Sequence, residues 1–254
     1  MKTNLRHIYA LIVGLSFALL FGGLVGGGDP VATSVAASLS FVGGIVISLG
    51  YTPKDKRAMM AAACGAIDAN ITLNCDDPLS AGVVATFLIA NKDDIASITL
   101  DPSNAMLATA ITMKSGKKFY TFEGQLQSTE PNFAMIKGKY INQFEHKVGF
   151  LVFKIDPTTK EQILNFKDGN FVVLAENNYT GSTGNCKYEI YGGGTGMKAE
   201  VIERNPNDTE NLGAFKLELK TAEYARESKP PMTFFVTDLA ATETARTALL
   251  TAAP

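Results

Sequence analysis

The chain has 254 residues, a net charge of −2 and a sequence pI of about 5.8, which argues against the broad basic surface of a nucleic-acid-binding protein. Twenty-three glycines, no tryptophan and 19% charged residues favour a β-rich, loop-rich domain. Three cysteines at irregular spacing, with no C-x-x-C pair, argue against a disulfide framework and a structural zinc site. A single disulfide stays open, but the favoured prediction is that Cys64, Cys75 and Cys186 are buried free thiols.

Two apolar runs lie near the start of the sequence, at 8–25 and 31–49, separated by a glycine-rich break. The first run has eighteen uncharged residues, close to the ~20 that a membrane-spanning helix needs. Lys2 and Arg6 precede the runs, and a basic cluster at 54–57 follows them. Three interpretations stay open: a membrane hairpin with both basic flanks on the cytoplasmic side, a signal peptide, and a soluble apolar arm buried in an assembly.

The composition changes near Pro53, where we place the one domain boundary. Residues 1–52 are expected to form an apolar N-terminal arm or transmembrane-like hairpin, a pair of apolar helical segments whose residues 8–49 would make any membrane contact. Residues 53–254 are expected to form a mainly β domain, either a β-sandwich or a rolled barrel with one or two flanking helices.

Alternating apolar residues and intervening turns predict a series of strands after residue 69. The predicted strands occupy 71–75, 83–90, 95–100, 108–114, 117–122, 143–153, 171–175, 186–191 and 233–237. Ser115-Gly116 is expected to join 108–114 to 117–122 in a tight hairpin, because glycine supplies the positive φ that such turns demand. One face of the 143–153 strand is expected to carry Phe144, His146, Val148, Phe150 and Val152.

Two helices are predicted from their capping residues. Asp156 is expected to cap the clearest helix, 156–169, which has proline in its first turn and glycine at its end. Asp238 is expected to cap a last helix that runs to about Leu250. The side chains expected to anchor the first helix to a sheet are Ile163, Leu164 and Phe166.

The stretch Met197–Lys220 is predicted to form a long charged hairpin around a loop of turn composition. Its first arm is expected to place Met197, Ala199 and Val201 on one face, and its second arm Phe215, Leu217 and Leu219. Such a hairpin suits docking to another copy of the same subunit. The candidate subunit-interface residues are Lys198, Glu200, Glu203, Arg204, Asp208, Glu210, Lys216, Glu218 and Lys220.

No residue pattern predicts catalysis. The sequence has two histidines, His7 and His146, and His146 lies in a predicted strand with no nucleophile motif such as G-x-S-x-G elsewhere in the chain. We therefore expect His146 to be a partly buried structural residue. We assign no catalytic residue, no metal ligand and no cofactor, and we predict that the chain is not an enzyme.

Three other polar patterns are expected to be structural. The carboxylate pairs Asp76/Asp77 and Asp93/Asp94 lie in predicted turns, where aspartate makes local hydrogen bonds. Gly192–Gly196 lacks the G-x-x-x-x-G-K-[ST] pattern of a phosphate loop and is predicted to be a flexible turn between strands. A small basic–aromatic patch comprises Lys114, Lys117, Lys118, Phe119 and Tyr120. Solvated hairpin charges explain this patch as well as nucleic-acid contact does.

The order of elements from Leu174 to Asp238 resembles a known family. It runs from L-A-E-N-N-Y-T-G-S-T-G-N-C-K-Y-E-I-Y-G-G-G-T-G-M-K-A-E through R-N-P-N-D-T-E-N-L-G-A-F-K-L-E-L-K-T to P-P-M-T-F-F-V-T-D. This layout resembles virion structural proteins of tailed bacteriophages, particularly those of Bacteroidetes hosts, and looks most like the tail-tube class. The resemblance covers roughly residues 69–238.

The resemblance implies a β-sandwich or rolled barrel with one flanking helix and a long hairpin that engages neighbouring subunits. It further implies hexameric rings that stack into a hollow tube, through which DNA passes without sequence-specific binding. The helix at 156–167 and the hairpin at 197–220 match that plan, whereas the two apolar runs depart from it.

We therefore expect a self-assembling virion protein whose partners are copies of itself, other virion proteins and the DNA in the lumen. Two alternatives stay open because of the apolar runs. One is a capsid or connector component of a virion. The other is a binding domain of the bacterial envelope that is anchored in the inner membrane.

Overall fold

The computed structural model describes residues 67, 69–72, 75–125 and 127–254. The expected N-terminal arm over 1–52 and the boundary near Pro53 lie outside the described residues. The chain divides into two compact units, Met1–Thr72 and Leu73–Pro254, and the second contains every element given below. Within the described part of the chain, no helix has the length and apolar character to cross a membrane.

The described chain is mainly β, with eleven strands and two α-helices. The strands are β1 (Phe87–Asn91), β2 (Ile95–Leu100), β3 (Leu107–Met113), β4 (Tyr120–Phe122), β5 (Thr129–Ile136), β6 (Gln143–Val152), β7 (Phe171–Glu176), β8 (Tyr188–Tyr191), β9 (Lys198–Arg204), β10 (Phe215–Lys220) and β11 (Met232–Phe234). The helices are α1 (Pro157–Phe166) and α2 (Leu239–Ala248).

Both helices begin at the aspartates that predicted them. The Asp156 carboxylate accepts the N–H of Thr159 at 2.7 Å, and the Asp238 carboxylate accepts the N–H of Ala241 at 2.8 Å. These bonds satisfy backbone donors that have no partner within the first helical turn. Helix α1 ends at Phe166, before the glycine that was expected to close it.

The strands form two sheets. A seven-stranded sheet has the order β2-β3-β11-β8-β7-β1-β4, in which β11 runs parallel to β3 and all other neighbours are antiparallel. A four-stranded sheet has the order β5-β6-β10-β9 and is antiparallel throughout. The second sheet is therefore built from two neighbouring hairpins, β5–β6 and β9–β10.

Strands β7 and β1 are buried on both faces. One face of the two strands carries Phe171, Val173, Ala175, Phe87 and Ile89, which join the core cluster shared with the four-stranded sheet. The opposite face carries Val172, Leu174, Leu88 and Ala90, which join a second cluster. Such double burial requires an almost continuous apolar sequence, which both strands have.

The core between the two sheets is rich in aromatic rings. The Phe150 ring lies 4.9 Å from that of Phe87, 5.8 Å from that of Phe122 and 6.0 Å from that of Phe166 on α1, measured between centroids. Edge-to-face and tilted pairs of this kind add to the stabilisation from burial. Helix α1 therefore closes this core through Phe166 and Ile163.

The second core cluster lies on the other side of β7 and β1. Buried side chains of β8 and β11 contribute to it, including Tyr188, Ile190 and Phe234. Leu249, directly after α2, is also buried there. The seven-stranded sheet is thus covered on both faces, by the four-stranded sheet with α1 and by the C-terminal segment.

The predicted hairpin between 108–114 and 117–122 is wrong, because β3 and β4 lie far apart in the seven-stranded sheet. Gly116 does have a positive φ of 73°. However, the Phe119 N–H donates to the carbonyl of Leu249 at 2.8 Å, and Lys117 also bonds to the C-terminal segment. The chain leaving the turn therefore crosses to β1 instead of folding back on β3.

Two smaller predictions also differ from the structure, and one strand was not predicted. The described residues of 71–75 form no strand, and Ile71 is 97% exposed. Strand β5 was not predicted, because Pro131 interrupts its alternating pattern and cannot donate to a ladder. Leu164 is 67% exposed and anchors nothing, since Ile163 and Phe166 define the buried side of α1.

We expect Phe150→Ala to lower the free energy of unfolding by roughly 3–5 kcal/mol, because it leaves a cavity between the sheets. Urea unfolding of the full-length protein, followed by circular dichroism, measures the change. Leu164→Ala is the matched control at an exposed apolar position, and we expect it to cost less than about 1 kcal/mol. Similar losses in the two variants would contradict the core assigned to Phe150.

Candidate functional site

The predicted charged hairpin is formed by β9 and β10. A register shift between Glu218 and Leu219 places Val201 opposite Glu218 and Ala199 opposite Leu219, with Glu200 as the extra residue. Because a bulge of one residue changes which face the following side chains occupy, Val201 and Ala199 lie on opposite faces. The prediction that they share a face is therefore wrong.

The four-stranded sheet has a core face and an outer face. The core face carries the buried residues Val148, Phe150, Leu217 and Leu219. The outer face carries charged side chains that pair with one another across neighbouring strands. The N–O distances are 3.2 Å for Lys216–Glu203, 3.4 Å for Lys220–Glu145 and 2.6 Å for Lys147–Glu218.

Two predicted interface residues stabilise the loop between β9 and β10. The Arg204 Nε–H donates to the carbonyl of Gly213 at 2.8 Å. The Asp208 carboxylate accepts the side-chain amide of Asn211 at 2.7 Å, and this bond, followed by backbone N–H donors, lowers the pKa of Asp208. These contacts fix the shape of the loop.

Lys198 donates to the Tyr224 hydroxyl at 2.8 Å. Together with the ion pairs and hydrogen bonds above, this contact means that seven of the nine predicted interface charges bind groups of their own chain. The side chains of Glu200, on the bulge, and Glu210, in the loop, have no partner among the described residues. Most of these charges are thus satisfied before any second copy arrives. Docking through this hairpin therefore needs a contribution beyond complementary charge.

Within the described residues, no further strand pairs with β5 or β9, the two edge strands of the four-stranded sheet, although Met197, directly before β9, bridges to Phe171 of β7. Strand β9 pairs only with β10, and β5 only with β6. An open edge presents unpaired N–H and C=O groups, which are a template for a strand of another chain. Exposed apolar side chains flank both edges: Ile202 on β9 is 39% exposed, and Phe133 and Met135 on β5 are 49% and 51% exposed.

His146 lies on the core face of β6 and is only 2% exposed. Its Nδ1 accepts the N–H of Gly192 at 3.1 Å, and its Nε2 lies 3.0 Å from the carbonyl of Lys229. These partners fit a neutral ring with its proton on Nε2. Burial lowers the pKa of His146, and the nearby Glu227 carboxylate partly opposes that effect. The residue is more deeply buried than expected.

The loop Gly192–Gly196 is fixed by hydrogen bonds, so the prediction of a flexible turn is wrong. The Glu227 carboxylate, 5% exposed, accepts the N–H of Gly194 at 3.0 Å and that of Thr195 at 2.8 Å. The Lys92 ammonium donates to the carbonyl of Gly193 at 2.5 Å. Glu227 thus fills the concavity that a glycine-rich loop could otherwise offer to an anion.

A cavity of about 200 Å³ lies beside these groups and is lined by His146, Glu227 and apolar side chains such as Met232. Both ring nitrogens of His146 already bond to backbone groups. Proton transfer by this histidine would first require one of those bonds to break. The arrangement ties β6, the glycine loop and the segment before β11 together.

The other predicted patterns are dispersed. Asp77 accepts the Tyr179 hydroxyl at 2.9 Å, and Asp94 forms an ion pair with Lys117 at 3.1 Å. Phe119 is fully buried, so the basic–aromatic patch is not a continuous surface. Among the described residues, no three His, Cys, Asp or Glu side chains could together hold a metal ion.

Two of the three cysteines can be compared with the prediction of buried free thiols. Cys75 and Cys186 are both free. Cys75 is exposed and Cys186 is half-buried, so the expected burial is wrong for Cys75. Cys64 lies outside the described residues.

A groove of about 1170 Å³, which no sequence pattern predicted, lies between residues 79–86, 127–132 and 177–179. Among the residues that line it, Glu130 and Glu189 are acidic and none is basic. The groove is therefore unsuited to an anionic ligand. The groove is lined by the irregular segment 79–86 together with residues of separate strands, including β5 and β8, so no single periodic pattern revealed it.

The chain matches no protein-family model, no curated protein and no solved structure. A functional proposal therefore rests on the geometry of the described residues and on the resemblance given above. The pair of open sheet edges is the feature with the clearest consequence for function.

We expect the folding stability to fall as the pH is lowered from 7 to 5. Because burial lowers the pKa of His146 below its unfolded value of about 6.5, the unfolded chain binds more protons in this range than the folded chain. Urea unfolding of the full-length protein at several pH values measures the slope. We expect His146→Gln to flatten it, and an unchanged slope in that variant would contradict the role given to His146.

Proposed function

We propose that this chain is a self-assembling structural subunit that forms rings by continuing its four-stranded sheet from copy to copy. The observation that carries the proposal is the pair of open edges, β5 and β9, on a fully antiparallel sheet. With an even number of antiparallel strands, the two edge strands run in opposite directions. A neighbouring copy in the same orientation would therefore set its β5 antiparallel to β9 of the first copy.

The apolar side chains at the edges favour one register. Within one copy, Ile202 lies directly across the sheet from Thr129, because Leu217 of β10 and Phe150 of β6 are paired in register between them. A stagger of four residues along β5 would set Ile202 of one copy opposite Phe133 of the next. Closed sheets require a stagger of this kind. The two side chains would then cover each other and remove apolar surface from water.

The seven-stranded sheet offers poorer edges for such pairing. Strand β4 has three residues, and β2 contains two register shifts within six residues. Bulges twist an edge strand and discourage pairing. Pro131 has no backbone N–H to donate from β5. In the register above it lies at the end of the intermolecular ladder, beyond Asn132, so the bonds in the middle of the ladder do not depend on it.

In a ring closed by these edges, the outer face of the four-stranded sheet would line the lumen, because the other sheet covers its core face. The strand pairing within one copy places eight charged residues on the outer face: Glu130, Glu145, Glu203, Glu218, Lys147, Lys198, Lys216 and Lys220. These four acids and four bases balance one another, and Glu200, the extra residue of the bulge, has no register partner and is left out of this balance. A neutral lining would let DNA pass without holding its phosphates.

The resemblance to tail-tube proteins supplies the more specific part of the proposal. It supports a tail-tube subunit of a phage virion, with a β-sandwich or rolled-barrel fold, six copies in a ring and a lumen for DNA. A capsid or connector component would share the same assembly chemistry. An envelope domain anchored through 8–49 depends on residues outside the described part, and retention of the protein in washed membranes would distinguish it.

We expect the full-length protein to form rings or tubes that are visible by negative-stain electron microscopy, and oligomers by light scattering. We expect Ile202→Lys to raise the protein concentration needed for half-assembly roughly tenfold or more, about 1.4 kcal/mol, since it places a charge at an apolar junction. Leu164→Lys replaces an exposed leucine on α1 and is the matched control.

Circular dichroism of both variants tests whether each remains folded. A wild-type protein that stays monomeric at high concentration would end the proposal. Equal assembly by Ile202→Lys and Leu164→Lys would rule out β9 as the pairing edge.

A further inference from the structure

The two hairpins of the four-stranded sheet point to opposite ends of that sheet. The β5–β6 turn, residues 137–142, precedes the first residue of β6. The β9–β10 loop, residues 205–214, directly follows Arg204. Phe215 pairs with Arg204 on one side and with Val152, the last residue of β6, on the other, so this loop lies at the end of β6. The length of β6, ten residues, separates the two by roughly 30 Å.

The turn at 137–142, called here the basic tip, is exposed along its whole length. It contains Lys137 and Lys139 and no acidic residue. Tyr140 is 86% exposed and Ile141 is 64% exposed. The Lys139 ammonium lies 5.3 Å from the centroid of the Tyr140 ring, while Lys137 has no partner among the described residues. The basic tip thus combines positive charge with apolar surface.

The loop at 205–214, called here the acidic loop, has the complementary character. It contains Asp208 and Glu210 and no basic residue. The Asp208 carboxylate accepts the N–H of Glu210 at 3.0 Å and that of Asn211 at 3.1 Å, which fixes the loop from within. The Glu210 carboxylate has no partner among the described residues, and Leu212 is 72% exposed. The loop therefore presents a free carboxylate and an apolar side chain on a preorganised backbone.

We propose that the basic tip of one copy binds the acidic loop of another copy in the next ring, so that these two elements stack the rings. The two exposed elements lie at opposite ends of one sheet, carry complementary charge and each have an apolar side chain to bury. Contacts between different surfaces repeat indefinitely when they do not close, which extends an assembly along its axis. The inference rests on the proposed function, because it presupposes rings formed through β5 and β9.

Charge reversal tests the contact in the full-length protein. We expect Lys137→Glu and Glu210→Lys each to shorten the stacks at least tenfold by electron microscopy while single rings persist, because each variant sets like charges against each other. We expect the double variant to recover the stacks. Lys160→Glu, at an exposed position on α1, is the matched control and should leave their length unchanged.

The outcomes separate this inference from the proposed function. Loss of stacks with retained rings in the single variants, and recovery in the double variant, would support the contact. Stacks of normal length in Lys137→Glu, or a double variant as defective as the single ones, would overturn it and leave the ring proposal intact. Absence of rings in the wild-type protein would overturn both. Lys137-dependent binding to anionic lipid vesicles by a protein that forms rings but no stacks would assign the basic tip to a membrane surface instead.

Discussion

The burial of β7 on both faces is the constraint on which the rest of the structure depends. Phe171, Val173 and Ala175 face one core cluster, and Val172 and Leu174 face the other. A strand of this kind is stable only when a separate layer covers each face. The four-stranded sheet with α1 supplies one layer, and the C-terminal segment around Leu249 supplies the other.

This layering leaves the four-stranded sheet as an outer layer of the described β domain. Its core face is used by the cluster around Phe150, so its outer face and its two edges remain for contact with other molecules. The charges on the outer face pair within the chain, as Lys147 does with Glu218. Solvent-exposed pairs of this kind contribute little to binding. The backbone of the edges and the apolar side chains beside them therefore carry the proposed assembly.

Features that depend on local sequence could be predicted. Asp156 and Asp238 cap the expected helices, and alternation in β6 correctly placed His146 and Phe150 on the buried face. Helix capping and strand alternation involve neighbours within a few residues, so a single sequence contains the necessary information.

Features that depend on distant contacts could not be predicted. Glu200 forms a bulge because two strands pair, and alternation alone placed Val201 on the wrong face. The partners of His146, Gly192 and Lys229, are 46 and 83 residues away, and no motif connects them. Strand β5, one of the two open edges, was missed because Pro131 makes it resemble a loop. The charged hairpin was identified correctly, but the partners of its charges within the chain were not.

The most direct test of sheet continuation is disulfide cross-linking of Val201→Cys and Ala134→Cys in a full-length protein whose own cysteines are replaced by serine. The two positions lie on opposite edges of one sheet, at least three strand spacings or about 14 Å apart, too far for a bond within one copy. The proposed register sets them opposite each other between copies. We expect a ladder of covalent oligomers under mild oxidation, and no ladder when Thr99→Cys replaces Ala134→Cys. A protein that remains monomeric, or equal ladders from both pairs, would contradict it.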